Sequence, residues 1–420
     1  MTQKPSIVVV GAGMGGVETA ASLANHIEGE ARVILVSETP ELALRPFFIY
    51  PPFSNLFKNR KRTHLDLRKP AAHRGIEFQQ WKVDVIDLAA QHIRGDGHAL
   101  GFDQLVIATG AGMRPDEVPG LAEHAYTIWG FEDALRLAVA VEQMIERAGR
   151  GERQRVLFNV APGNKCAGPL YEMVFMLETY LRRKRVRDRF EIIWTTTEDH
   201  YIQAFGPKLH DATVRELAER GITGHTGYQL ERVEPNAAHY RDGASIDFDW
   251  MIGFPPYVAH TWFDTLPIDE RGFIHADQQT WQVLGQENLH VVGDGADFPV
   301  KQAFLALGMA GVVAHNIAST VKGETPAATF DPVSMCIMEQ LDTGLYAQVP
   351  LELTGDARHP VRVRPQGYDD YVVRDSRLWQ MGKWGMYAMM VLRMGQLRTF
   401  HEGPLWSGMD IMIKGMQEIP

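Results

Sequence analysis

The 420-residue sequence predicts an α/β protein of two tandem parallel-sheet domains, the first interrupted by the second, followed by a pair of C-terminal amphipathic helices. Three observations predict this. A β-branched run opens into a glycine-rich turn near the start. A strand–turn–helix unit of the same form recurs mid-chain. A strand ending in Gly-Asp lies far downstream of both.

Ile7-Val8-Val9-Val10 is continuous and β-branched, as a buried parallel strand requires. Gly11-Ala12-Gly13-Met14-Gly15-Gly16 follows, then a helical stretch over 17–24, then a second strand over 32–36 leading to Glu38. Each part has a task in holding a dinucleotide. Gly11 permits the tight turn, Gly13 lets a pyrophosphate approach the backbone, and Gly16 lets helix and strand pack closely. The helix N-terminus presents oriented N–H groups and partial positive charge. Glu38 stands 22 residues past Gly16, where its carboxylate can accept from ribose hydroxyls. A lone glycine pattern is weak evidence; strand, glycines, helix, strand and acid together are strong.

Two later strands favour FAD over NAD in this site. One, over 104–107, ends in the small-residue turn Ala108-Thr109-Gly110; the other, over 288–292, ends in Gly293-Asp294 before a helix. Such segments approach the flavin in flavoproteins with two dinucleotide-binding domains, so Ala108, Thr109, Gly110, Gly293 and Asp294 are expected FAD ligands by that resemblance. The predicted fold class is therefore two tandem Rossmann-like dinucleotide-binding domains, an FAD domain interrupted by an inserted NAD-like domain. The expected division is 1–112 with 285–330 for FAD, 113–284 for the insertion, 331–376 for a C-terminal segment and 377–420 for the helices. The inserted domain begins with a strand over 155–160, but its turn reads Ala161-Pro162-Gly163-Asn164-Lys165-Cys166-Ala167-Gly168-Pro169. The second glycine cradle is lost, which argues against NAD(P)H as the routine reductant. It also sets Cys166 near a helix N-terminus, where the dipole is expected to favour a thiolate.

Composition bounds the function. A net charge of -10 excludes a basic nucleic-acid groove, and the run Arg182-Arg183-Lys184-Arg185 reads as a solvated helix end. There is no repeat or low-complexity run, and 45% hydrophobic residues suffice for two to three cores. The start leads straight into a strand without a signal-peptide core, so the cytoplasmic side is expected. No stretch reads as a transmembrane helix of roughly 20 apolar residues. Two cysteines form no disulfide scaffold; the pair is either inert core or redox chemistry.

Cys166 lies in Cys166-Ala167-Gly168-Pro169-Leu170-Tyr171-Glu172, and Cys336 in Cys336-Ile337-Met338-Glu339-Gln340-Leu341-Asp342-Thr343-Gly344. The two segments resemble, in order, the cysteine motifs of sulfide:quinone oxidoreductases. Pro299-Val300-Lys301-Gln302 and Phe254-Pro255-Pro256-Tyr257 resemble that family's segments beside the flavin and the quinone. The resemblance implies that Cys166 and Cys336 bridge, directly or through bound sulfur, and pass two electrons from sulfide to non-covalent FAD and on to a membrane quinone. It makes Glu172 the acid/base candidate and Lys301 the cation beside the reduced flavin. The sequence departs from the family at Trp129, where many members carry a third cysteine, at Asp133, where a histidine is common, and at Tyr201-Ile202-Gln203-Ala204, where a second histidine is missing. His200 is the neighbouring candidate to replace it. The chain resembles a two-cysteine branch.

Residues 377–420 carry Trp379, Trp384 and Trp406 with methionines at 381, 386, 389, 390, 394, 409, 412 and 416. Their basic residues (Arg377, Lys383, Arg393, Arg398, Lys414) outnumber the acidic ones (Glu402, Asp410, Glu418). Two apolar segments, about 384–397 and 405–416, suit helices lying in a bilayer interface with basic residues at lipid phosphates. A peripheral, monotopic place on the cytoplasmic face of the cell membrane follows, with the lipid surface, sulfide and a quinone as partners. Oligomeric state is open, a homo-oligomer included. The alternatives are the flavin subunit of a flavocytochrome c-type sulfide dehydrogenase, disfavoured because residues 45–50 hold no cysteine to tether flavin, a type II NADH:quinone oxidoreductase, and a non-catalytic flavin-binding adaptor or redox sensor.

Overall fold

The computed structural model describes residues 4–261, 263–356 and 359–417. Along the chain the principal elements begin with β1 (Ser6–Val10), α1 (Met14–His26), β2 (Arg32–Ser37), β3 (Glu77–Gln80) and β4 (Gln104–Ile107). There follow β5 (Ala125–Tyr126), α2 (Phe131–Gly149), β6 (Gln154–Val160), α3 (Gly168–Arg183), β7 (Phe190–Thr196), β8 (Ile222–His225) and β9 (Trp250–Phe254). Next come β10 (Leu289–Val291), α4 (Ala303–Val321), β11 (Val333–Glu339), β12 (Gly344–Leu353), β13 (Val361–Val363) and β14 (Val372–Ser376). The helices α5 (Arg377–Arg393) and α6 (Pro404–Gln417) close the chain.

The first parallel sheet has the order β10-β4-β1-β2-β3. Its edge strand β10 returns to the sheet only after the whole second unit has been made. That unit is a parallel sheet of order β5-β9-β6-β7-β8. The central strands are buried on both faces, which is why they read as β-branched runs without alternation. The predicted fold class of two tandem Rossmann-like domains followed by C-terminal helices is the one observed. An antiparallel sheet follows, in which β12 pairs with β11, β13 and β14. The sequence reading did not resolve this sheet within 331–376.

Close approach makes two glycines of the first turn indispensable. Gly11 has φ +108, and a Cβ there would stand 2.3 Å from the Ala108 carbonyl oxygen. A Cβ on Gly16 would stand 1.9 Å from the Gly11 carbonyl oxygen. Gly13 is different, with no atom within 4 Å of such a Cβ, because that side faces open space.

One expectation needs correction. Among the described residues, α4 is long and apolar enough to cross a membrane. It is mostly buried and packs against α1, so it is the core helix of the first domain. The C-terminal helices also differ in bounds from the two apolar segments, because α5 starts at Arg377 directly after β14. Trp379 is buried against Tyr346, its ring stacked at 4.1 Å. Glu418 lies outside the described residues, as do the side chains of Met409, Asp410, Met412, Lys414 and Met416.

Candidate active site

A cavity of about 1070 Å³ runs between the two parallel sheets and the C-terminal segment. Gly11 and Gly13 open it, and Glu38, from the end of β2, lines it. Ala108, Thr109, Gly110, Gly293, Asp294 and Lys301 line it as well. Gly16 sits beneath, in contact with Gly11. The first turn of α1 has no side-chain cap, so its N–H groups are left for a ligand in the cavity. This glycine cradle, bare helix N-terminus and terminal carboxylate fit FAD. The corresponding turn after β6 does not offer a second cradle. Its polar groups are used internally: Asn164 Nδ2 donates to the Pro255 carbonyl at 2.9 Å, and the Tyr257 N–H donates to the Gly163 carbonyl at 3.0 Å.

Cys166 and Cys336 both line this cavity, and both are free, half-buried thiols. Cys166 ends the turn before α3, its N–H donating to Asn164 Oδ1 at 2.9 Å. Cys336 sits in β11 opposite Ala347. Gln302 holds that strand against the start of α4, donating to the Met335 carbonyl at 3.2 Å and accepting from Ser334 Oγ at 2.9 Å. The expectation of a dipole-favoured thiolate at Cys166 is corrected. Burial pushes its thiol well above the ordinary range, with Asp294 and Cys336 adding and the Tyr257 hydroxyl opposing. Burial pushes Cys336 up to about 12, with Glu172 adding and Lys383 opposing. The helix itself starts only at Gly168, and desolvation outweighs its dipole.

Glu172 is buried in α3. Its two oxygens accept from Lys383 Nζ at 2.9 and 3.1 Å. Burial pushes Glu172 up to about 7, against the pull of Lys383. Lys383 also donates to the Ile337 carbonyl at 2.8 Å, next to Cys336. The sequence reading placed Lys383 among lipid-facing bases. The structure places it, buried, in the site. The available signal was a single lysine in the apolar run of α5.

Lys301 is buried too. Its Nζ donates to the Ala296 carbonyl and lies 4.0 Å from the centroid of the Phe273 ring, with Lys165 over the same ring at 5.3 Å. Burial pulls Lys301 down to about 7, while Asp294 raises it. Trp129 lines the cavity, meets Tyr257 edge-on at 5.0 Å and carries the Arg45 guanidinium at 4.7 Å. Asp133 caps α2 instead, accepting from the Gly130 N–H at 2.9 Å. His200 is exposed, pairs with the ring of His210 and does not line the cavity. Glu198 and Asp199 line the cavity on that side, Glu198 accepting from Thr196 Oγ1 at 2.9 Å and from the Gln203 N–H at 3.0 Å.

Residues 5–156 match the family model described as pyridine nucleotide-disulphide oxidoreductase. A sulfide-quinone reductase from Aquifex aeolicus is 27% identical over 241 residues, covering 56% of this chain and 54% of that protein. The chain thus matches about half the length of that relative. The demethylphylloquinone reductase NdbB of Synechocystis is 25% identical, covering 70% of this chain and 72% of its own. The solved structure of the Aquifex aeolicus sulfide:quinone oxidoreductase superposes with a TM-score of 0.84 at 19% identity, over 98% of this chain and 96% of that one. Fold, family model and relatives agree on an FAD-binding flavoprotein oxidoreductase with two dinucleotide-binding domains, and the chain is similar to the sulfide:quinone oxidoreductases.

Proposed function

We propose that the chain oxidises sulfide to zero-valent sulfur or polysulfide through Cys166 and Cys336, with non-covalent FAD taking the two electrons and a membrane quinone receiving them. The observation that carries this reading is the shared cavity. Two cysteines 170 positions apart open onto the same space as the flavin cradle and the Glu172–Lys383 pair. The division of the chain belongs to the same reading. Residues 1–112 and 285–330 hold FAD, 113–284 carry Cys166, 331–376 carry Cys336, and 377–420 meet the membrane.

From the bridged state, hydrosulfide forms a bond to one cysteine sulfur and displaces the other as a thiolate, leaving a persulfide. Bound FAD supplies the two-electron acceptor. The chain's own groups manage charge and protons. Lys383, against the Ile337 carbonyl, offsets negative charge at Cys336, whose ionisation burial otherwise opposes. Glu172, poised at about 7, takes the proton of hydrosulfide at a carboxylate oxygen. Lys301 brings positive charge to the flavin side of the cavity. Met386, Met390 and Phe304 provide an apolar wall for a quinone.

The membrane side of the reading rests on α5. Leu378, Met381, Trp384 and Leu392 are exposed, at 41%, 68%, 38% and 63%. They share about a third of the helix circumference at ~100° per residue. Trp379, Lys383 and Met390 occupy the opposite, buried face.

Anaerobic stopped-flow mixing tests the reading. Sulfide is expected to bleach the flavin absorbance, and a soluble quinone to restore it. Cys336→Ser should keep FAD and lose the bleaching. Fast bleaching by NADH with none by sulfide would overturn the reading. It would favour the second one, an NAD(P)H-linked quinone reductase, which the similarity to an alternative NAD(P)H-ubiquinone oxidoreductase of Arabidopsis thaliana supports.

A further inference from the structure

A second cluster of ligand-type side chains lies outside the cavity, where the loop between α5 and α6 meets the first domain. His26 is the last residue of α1, His315 lies in α4, and Glu402 lies in the loop. One ligand atom from each lies within 4.8 Å of the other two. Glu402 Oε2 is 3.5 Å from His26 Nε2, and Glu402 Oε1 is 3.9 Å from His315 Nδ1. Two ligands on a tetrahedral ion with bonds of ~2.0–2.1 Å stand ~3.3 Å apart. Side-chain shifts of about an ångström would therefore close the set around one ion.

We propose that His26, His315 and Glu402 form a binding site for a divalent transition ion of the zinc class, tying the C-terminal loop to α1 and α4. Two imidazoles and a carboxylate suit such an ion, with water in the fourth position. His26 Nε2 is buried and makes no hydrogen bond among the described residues. Facing Glu402 Oε2 at 3.5 Å, longer than a good hydrogen bond, that nitrogen is placed to share a cation with the carboxylate. The third ligand is already oriented. Ser22 Oγ donates to Glu402 Oε1 at 2.9 Å, and Arg393 donates to the Glu402 carbonyl at 3.1 Å. The residues just before it are fixed through Glu18, which is fully buried and accepts from the Phe400 N–H at 2.8 Å and from His401 Nδ1 at 2.6 Å. Such outer contacts hold first ligands in place. Ligation through His315 Nδ1 replaces the hydrogen bond that this nitrogen makes to the Gly311 carbonyl at 2.9 Å.

The test uses the full-length, FAD-loaded protein, stripped with a chelator and titrated with Co²⁺ and then Zn²⁺. One Co²⁺ per chain is expected at micromolar free ion, with visible bands of nitrogen and oxygen ligation and without the thiolate charge-transfer band that binding at Cys166 or Cys336 would give. His315→Ala and Glu402→Gln should each weaken binding at least about tenfold with FAD content unchanged. His315 is half exposed, so its truncation leaves the core intact. Absence of binding at micromolar ion overturns the proposal. So does binding that both variants leave unchanged, or binding that carries the thiolate band.

Discussion

Lys383→Met probes the Glu172–Lys383 pair directly, and its effect can be worked from the structure. Both side chains are buried, at 5% and 4% exposure, and the ammonium meets the carboxylate at 2.9 Å. Glu172 sits at about 7 against an ordinary 4.5. Its ionisation in the folded protein therefore costs ~3.4 kcal/mol relative to the unfolded chain, at ~1.36 kcal/mol per unit. The folded value is raised, so this contribution to stability is fully present below pH 4.5 and is lost as pH rises through about 7. Removing a close cation raises a carboxyl by a further ~1–3 units. At pH 7 the ionised fraction of Glu172 then falls from about half to between about a tenth and a thousandth, a loss of ~5- to 500-fold in the rate of flavin reduction by sulfide. The rate should recover at higher pH, so the readout is the whole anaerobic stopped-flow profile from pH 5.5 to 9.5. Glu172→Gln should flatten the limb near 7. At alkaline pH, where the lone Glu172 carboxylate ionises without a partner, the double variant Glu172→Gln/Lys383→Met should be more stable than Lys383→Met. A Lys383→Met enzyme whose limb stays near 7 with an unchanged rate would refute the assignment of Glu172 as the proton acceptor.

Three further outcomes are expected. Gly16→Ala should yield protein with little or no FAD, because its Cβ would meet the Gly11 carbonyl oxygen at 1.9 Å; Gly13→Ala should fold normally and weaken only the cofactor, as read from the flavin absorbance per chain. In the reduced protein at pH 8, alkylation of Cys336 by iodoacetamide should be at least about 100-fold slower than that of an ordinary thiol, since burial pushes Cys336 up to about 12 and leaves little thiolate; mass spectrometry of the labelled peptide checks this. Met381→Gln combined with Leu392→Gln should reduce co-sedimentation with anionic liposomes several-fold while leaving reduction of a soluble quinone intact, because both residues are on the exposed face of α5 and outside the cavity.

The parts legible in the sequence are those written by neighbours in the chain. The turn after β1 leaves a local pattern because Gly11 takes φ +108 and the Gly11 carbonyl, five residues away, crowds Gly16, while Gly13 stays open; the crowding of Gly11 by the Ala108 carbonyl comes from a distant strand. The loss of the second cradle was legible for the same reason, since Ala161 and Cys166 stand where the first turn has Gly11 and Gly16. The strands were legible because burial on both faces demands continuous apolar runs. Tertiary structure alone decided the rest. Glu172 and Lys383 are 211 positions apart, and nothing in the chain near either one announces the other. The charge state of Cys166 depended on whether dipole or desolvation prevailed, and desolvation is set by everything packed around the sulfur, Asp294 and Tyr257 included. His26, His315 and Glu402 likewise meet only because α1 packs on α4 and the loop after α5 folds back over both. Local sterics and periodicity act over a few bonds and survive in the one-dimensional record, whereas pairing and burial are properties of distances that only the folded chain defines.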